Sequence, residues 1–268
     1  MAEVTQAKRI VIKVGTSTLT YENGKLNLRK TEELCKVLSD LHNSGLEVIL
    51  VSSGAVGVGM GKLGIRNRPA EIEKKQAIAA VGQCELMFMY DKLFGEYNCT
   101  VAQVLLTADV TASERSKHNV ENTFRELLHM GIVPIVNEND TVSVDELDGP
   151  HFGDNDTLSA VVAVLVQADL LVILTDIDGL YDGDPRKNPY AKRIPYVACI
   201  TKEIEALAGK AGTSRGTGGM ATKVHAAQVA NQAGIPCCVL SGNQPRNLYQ
   251  LLDGEQIGTT FAAYTSDY

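Results

Sequence analysis

Two lysines in this sequence sit where they are suited to meet phosphate. Lys13 lies near the end of the apolar run Ile10-Val11-Ile12-Lys13-Val14, just before Gly15-Thr16-Ser17. Lys223 closes the run Gly216-Thr217-Gly218-Gly219-Met220-Ala221-Thr222-Lys223. Three glycines let a backbone approach a bulky polyanion, and the helix-forming stretch 220–233 that follows ends at Gly234. The run therefore belongs at a helix N-terminus, with free N–H groups facing whatever binds there. A cation in the first helical turn opposes the helix dipole unless an anion answers it, which points to a phosphate. Taken alone, the same run also fits a flexible surface loop before an ordinary helix.

Polar residues complete the set: Ser53, Asn137-Glu138-Asn139-Asp140, Asp154-Asn155-Asp156 and Thr175-Asp176. Lysines and backbone N–H groups answer phosphates, whereas Asp and Asn answer a metal or a substrate ammonium. Together they suggest phosphoryl transfer from a nucleotide. No G-x-x-x-x-G-K-[ST] loop occurs, and no H-R-D or D-F-G set of a protein kinase. Gly59, Gly61 and Gly64 spell G-x-G-x-x-G, but the match begins about eight residues after its strand, too late for the dinucleotide fingerprint.

These residues need a frame that gathers them. Short β-branched or apolar runs predict strands over 8–14, 46–51, 100–106, 132–136, 170–174 and 235–240, with an edge strand over 257–261. Helical periodicity predicts helices over 29–42, 71–97 (broken near Gly82), 114–130, 158–168, 202–208 and 220–233. The stretch 52–61 is too glycine-rich for an ordinary connection and reads as a second phosphate-facing loop, and 141–152 reads as irregular or a hairpin. Apolar strands alternating with helices predict an α/β fold, a three-layer αβα sandwich with a mostly parallel central sheet. In such sheets ligands bind beyond the carboxyl ends of the strands, where Gly15, Ser52, Thr107, Asn137, Thr175 and Ser241 all fall.

Composition narrows the partners. The chain has 268 residues, 44% of them hydrophobic, enough for one large core without a second domain. A net charge of −7 without a basic run argues against nucleic acid and anionic membranes. The polar N-terminus and the lack of a long apolar run predict a cytoplasmic protein. Six cysteines without C-x-x-C spacing, two of them adjacent in an apolar segment, predict reduced core thiols. The five histidines lack metal-ligand spacing, so no dedicated metal site is assigned.

Val-Ile-Lys13-Val-Gly-Thr-Ser, Val-Ser-Ser53-Gly-Ala, Val-Asn137-Glu-Asn-Asp140, Phe-Gly-Asp154-Asn155-Asp156, Thr175-Asp176-x-x-Gly-Leu-Tyr and Gly-Thr-Gly-Gly-Met-Ala-Thr-Lys223 closely resemble the amino acid kinase family, in order and spacing, from about Lys8 to Phe261. The first two motifs occur across the whole family; six together are highly specific. The resemblance implies transfer of the γ-phosphoryl group of ATP, with Mg²⁺, to the side-chain carboxylate of L-glutamate, the first step of proline biosynthesis, with proline as feedback inhibitor and a homo-oligomeric assembly. It implies that Lys13 and Lys223 flank the transferred group while Asp156 holds them. Ser53, Asn137, Asp140 and Asn155 would bind the amino acid. Lys13, Thr175, Asp176, Thr217, Gly218, Gly219, Met220, Ala221, Thr222 and Lys223 would bind the nucleotide. Many members continue into a C-terminal PUA domain; this sequence is expected to be a single kinase domain, 1–268, without one.

The chemistry agrees with those roles independently. A side-chain carboxylate has a pKa near 4.3, so it is already a nucleophile at neutral pH and needs no general base. The obstacle is bringing it up to a triphosphate, a task for two lysines and Mg²⁺. Asp140 suits a free α-ammonium better than an acetylated amine or a nucleotide phosphate. Two alternatives stand beside this reading: another amino acid kinase acting on a different acid such as N-acetylglutamate, or a non-catalytic amino-acid or nucleotide sensor of the same fold.

Overall fold

The computed structural model describes residues 2–107, 110, 113–142, 155–210 and 219–264. Among them lie eight strands: β1 (Arg9–Val14), β2 (Glu47–Ser52), β3 (Val101–Leu106), β4 (Val133–Glu138), β5 (Leu170–Thr175), β6 (Tyr196–Val197), β7 (Cys237–Ser241) and β8 (Thr259–Phe261). They form one sheet in the order β3-β4-β2-β1-β5-β7-β8-β6, parallel throughout except where β8 runs antiparallel to β7. The central strands are buried on both faces, so their sequences are continuously apolar rather than alternating. All six residues of Leu170–Thr175 are buried.

Side chains of a strand alternate between faces. Ile10, Ile12, Val14, Leu170, Val172 and Leu174 point into one core, and Val11, Leu171 and Ile173 into the other. The first core is closed by α3 (Leu28–Asn43), α4 (Ala55–Leu63), α5 (Ile72–Gly95) and α10 (Asn247–Leu252). The second is closed by α6 (Glu114–His129), α7 (Asn155–Leu165), α8 (Lys202–Lys210) and α9 (Met220–Gln232). Two single-turn helices, α1 (Ala2–Thr5) and α2 (Thr16–Leu19), precede and follow β1. The expected three layers are present. Among the described residues no helix is long and apolar enough to cross a membrane. All six cysteines are unbridged, and burial pushes the Cys238 thiol up to about 11.

The glycine-rich stretch after β2 departs from the expectation. It is the helix α4, not a phosphate loop, and its glycines serve packing. A Cβ on Gly59 would stand 2.1 Å from the Ile78 carbonyl oxygen of α5, and one on Gly61 would stand 2.2 Å from the Gly24 carbonyl oxygen. Nor does Gly82 break α5, which runs unbroken for 24 residues. Gly82 is the matching small residue, where a Cβ would lie 1.7 Å from the Ala55 carbonyl oxygen. The two helices meet backbone to backbone, which only a residue without a side chain permits. α7 begins three residues earlier than its apolar run suggests, because Asn155 and Asp156 are themselves buried in its first turn. The reading of 141–152 as a hairpin falls almost wholly outside the described residues.

Candidate active site

The carboxyl ends of the parallel strands deliver the polar residues to one edge. β1 occupies the middle of the sheet, and Lys13 is in register with Val51 of β2 and Ile173 of β5. Its Nζ reaches the Asp156 Oδ1 at 2.5 Å. From the first turn of α9, the Lys223 Nζ reaches the Asp156 Oδ2 at 2.9 Å, and the Thr222 Oγ1 donates to the same oxygen at 2.8 Å. Asp156 is completely buried; Lys13 and Lys223 are 5% and 4% exposed. Burial pushes the Asp156 carboxyl upward, but the two ammonium groups outweigh it and hold the group well below the usual carboxylate range. The first turn of α7 adds its own stabilisation of a negative charge.

Lys223 therefore has its anion within the protein. The conflict between a cation and a helix N-terminus is relieved by Asp156, 67 residues away in the chain, so it is not by itself a sign of phosphate. At the start of α9, Gly219 occupies the N-cap in an extended conformation, and among the described residues no side chain caps it. Met220 is buried there, and Gly219, Met220 and Ala221 bring backbone N–H groups to that end. Thr217 and Gly218 lie outside the described residues. Thr222 turns its hydroxyl to Asp156 and to the Gly219 carbonyl, 2.7 Å away.

A second polar group lies on the β2 and β4 side. The Asn155 Nδ2 donates to the Ser53 Oγ at 2.9 Å and to the Asn137 Oδ1 at 3.1 Å. That same oxygen accepts the Glu138 backbone N–H at 2.9 Å, and the Asn137 Nδ2 donates to the Gln83 Oε1 at 2.8 Å. The Asn155 Oδ1 is buried and has no hydrogen-bond partner among the described residues. Asp140, also buried, follows β4 by two residues. On the other side of Lys13, at the end of β5, Thr175 is buried and donates to Asp176 at 3.1 Å, while exposed Asp176 pairs with Arg186 at 3.2 Å.

Adjacent residues of α7 thus join two clusters. Asp156 gathers Lys13, Thr222 and Lys223, while Asn155 gathers Ser53 and Asn137. Thr175 and Asp176 stand apart, paired with each other. The sequence reading missed Gln83, which lies beside the buried stripe Gly82, Leu86, Tyr90 and Phe94 of α5. A polar residue flanking such a stripe was the one available signal. Among the described residues no three His, Cys, Asp or Glu side chains cluster as a metal cage.

A doubly covered parallel sheet, with two buried lysines sharing an aspartate beyond its central strand, defines an α/β class whose ligands bind at the carboxyl ends of the strands. The chain belongs to the amino acid kinase family, whose sequence model, described as "Amino acid kinase family", matches residues 8–241. Its relatives include proteins called glutamate 5-kinase from Clostridium perfringens, 58% identical over 258 residues covering 96% of each chain, and from Listeria monocytogenes, 54% identical over 98% of this chain and 95% of the relative. Solved structures of the same fold include a UMP kinase from Bacillus anthracis, at a TM-score of 0.65 and 16% identity over 97% of both chains. An isopentenyl phosphate kinase product complex from T. acidophilum aligns at a TM-score of 0.61 and 19% identity, over 94% of this chain and 99% of the other.

Proposed function

We propose that this protein transfers the γ-phosphoryl group of ATP to the side-chain carboxylate of L-glutamate, giving L-glutamyl 5-phosphate and ADP at the first step of proline biosynthesis. The observation that carries the reading is the pair of buried lysines held on Asp156 between the Ser53-Asn137-Asn155 cluster and the start of α9. The names of the close relatives support the same substrate.

In this reading the amino acid lies over β2 and β4. The Asn155 Oδ1 and the Asp140 carboxylate accept hydrogen bonds from the α-ammonium, and Ser53, whose Oγ already accepts from Asn155, donates its O–H to a substrate oxygen. Asn137 orients Asn155. The nucleotide lies toward β5 and β7, with its phosphates against Lys13 and the 217–223 segment and the rest near Thr175 and Asp176. ATP would enter as its magnesium complex, the metal leaning on the phosphate oxygens.

A glutamate carboxylate oxygen attacks the γ-phosphorus as the bond to the β–γ bridging oxygen breaks and ADP departs. No proton need be removed from the nucleophile. Lys13 and Lys223 neutralise charge on the transferred group as the metaphosphate-like transition state forms, and Asp156 holds both ammonium groups in place beforehand. Proline inhibition, homo-oligomeric assembly and a cytoplasmic setting belong to the same proposal.

The test is hydroxamate formation with Mg-ATP and hydroxylamine, comparing L-glutamate, N-acetyl-L-glutamate and L-aspartate. Hydroxamate from L-glutamate alone supports the reading. Turnover of the acetylated acid instead refutes the assignment of an ammonium to Asn155 and Asp140, and no turnover with any acceptor moves the protein to a sensing role.

A further inference from the structure

Helix α5 touches both arms of the amino-acid cluster, and it does so with residues outside the family motifs. Gly82 seats α5 against the Ala55 carbonyl, two residues beyond Ser53. One and two turns on, Leu86 and Tyr90 are buried, and the Tyr90 hydroxyl hydrogen-bonds the Ser52 Oγ at 2.7 Å. Gln83, half-buried beside Gly82, accepts the Asn137 amide at 2.8 Å.

The donors and acceptors in this chain leave no freedom. The Glu138 backbone N–H donates by necessity, so the atom of Asn137 facing it must be Oδ1. The Asn137 Nδ2 then points toward α5 and requires an acceptor, which the Gln83 Oε1 supplies. With Oδ1 fixed, the facing atom of Asn155 must be Nδ2, and its two hydrogens are used on Asn137 and Ser53. The Asn155 Oδ1 is left as an acceptor with no protein partner among the described residues. Each amide assignment follows from the one before. The acceptor at the end of the chain is the atom to which the proposed substrate's ammonium donates.

We propose that Gln83 is a positioning residue for the amino-acid substrate, acting through Asn137 to fix the orientation of the Asn155 amide. This rests on the reading of the Ser53-Asn137-Asn155 cluster as the glutamate pocket. Without the Gln83 oxygen, only the Glu138 N–H holds the Asn137 Nδ2 toward α5, where that amide loses its acceptor. A flipped Asn137 presents hydrogens to the Glu138 N–H and to the Asn155 Nδ2, and the relay reverses or breaks. The ATP side of the site, built from β5 and α9, is untouched. A defect of this kind weakens ground-state and transition-state binding of glutamate equally, so it appears in KM rather than in kcat.

The experiment compares wild type, Gln83→Met, Gln83→Glu, Asn137→Ala and the Gln83→Met/Asn137→Ala double variant in the hydroxamate assay, with thermal melts of each. Gln83→Met is expected to raise KM for L-glutamate about tenfold, the scale of leaving one buried amide unsatisfied. kcat and KM for ATP should stay within about twofold of wild type. In the Asn137→Ala background the same substitution should change KM by less than about twofold, since the route through Asn137 is gone. Gln83→Glu keeps an acceptor at the same reach and should return KM to within about threefold of wild type. A direct contact between the Gln83 amide hydrogens and the substrate forbids that rescue, because Glu lacks those donors. Equal effects of Gln83→Met in both backgrounds, failure of Gln83→Glu to rescue, or a lowered melting temperature with KM unchanged would each overturn the inference. A wild-type protein that neither binds nor turns over L-glutamate overturns the functional reading and the inference together; active wild type with KM unchanged in Gln83→Met overturns the inference alone.

Discussion

Asp156→Asn tests the centre of the site most severely. The substitution keeps shape but removes the carboxylate shared by Lys13 and Lys223, and it turns an amide NH₂ toward one of the two ammonium groups. All three residues are at most 5% exposed, so water does not replace the lost charge. Removing one partner from a buried ion pair costs about 3–5 kcal/mol. A chain of 268 residues unfolds with an entropy of roughly 0.56 kcal/mol/K near 60 °C, so each kcal/mol moves Tm by about 2 °C. The expected loss is therefore about 5–9 °C in calorimetry at pH 7.5 without nucleotide. Adding Lys13→Met to Asp156→Asn removes one stranded charge and should recover at least about 1 kcal/mol, because a neutral buried set is better tolerated than an unpaired one. A Tm drop below about 2 °C, or a double variant less stable than the single, would refute the account of two lysines restrained by one buried charge.

The same carboxylate sets a pH dependence. Its folded pKa lies below its unfolded value of about 3.9, so its stabilisation is fully present above that pH and is lost as pH falls toward the folded value. The stability gap between wild type and Asp156→Asn, measured by urea titration, should stay constant above about pH 5 and shrink below pH 4 by up to about 1.4 kcal/mol per unit. Lys223→Ala should lower kcat in the hydroxamate assay by roughly 10²-fold, the scale of one preorganised electrostatic donor; an unchanged kcat removes it from the catalytic set. Gly82→Ala should destabilise by more than about 2 kcal/mol, since its Cβ would overlap the Ala55 carbonyl, whereas Gly95→Ala, with nothing within 4 Å, should be neutral or stabilise by up to about 1 kcal/mol. Equal Tm values for the two would contradict the close helix contact.

The parallel strands were legible because strands covered on both faces carry unbroken apolar runs, as in Leu170–Thr175. Once they were placed, aligned carboxyl ends brought Lys13, Ser53, Asn137 and Thr175 to one edge. Helices with a single apolar face, such as α3 and α6, matched within a residue or two. α4 did not, because glycine carries two opposite signals. Its freedom suggests a loop, while its missing side chain allows backbone contact; the sequence around Gly59 does not contain Ile78 or Gly82, which decide between them. The same limit governed Lys223, whose anion is Asp156 of another helix, and Gln83, whose partner Asn137 is 54 residues distant. Local pattern reports an element's own faces; it does not report what a distant element brings to them.

The order of strands divides the sheet into two consecutive lengths of chain. β1 to β4, all within residues 9–138, form one side, and β5 to β8, within 170–261, form the other. The seam between them runs along β1 and β5, beneath the shared aspartate. Lys13, Ser53 and Asn137 come from the first length; Asn155, Asp156 and Lys223 come after it. A growing chain on the ribosome can thus lay down half a sheet early, yet the two lysines, separated by most of the sequence, meet only when the last third has been synthesised and docked. Assembly of the Lys13-Asp156-Lys223 set is thereby tied to completion of the fold, and a prematurely terminated chain that lacks α9 carries one lysine on Asp156.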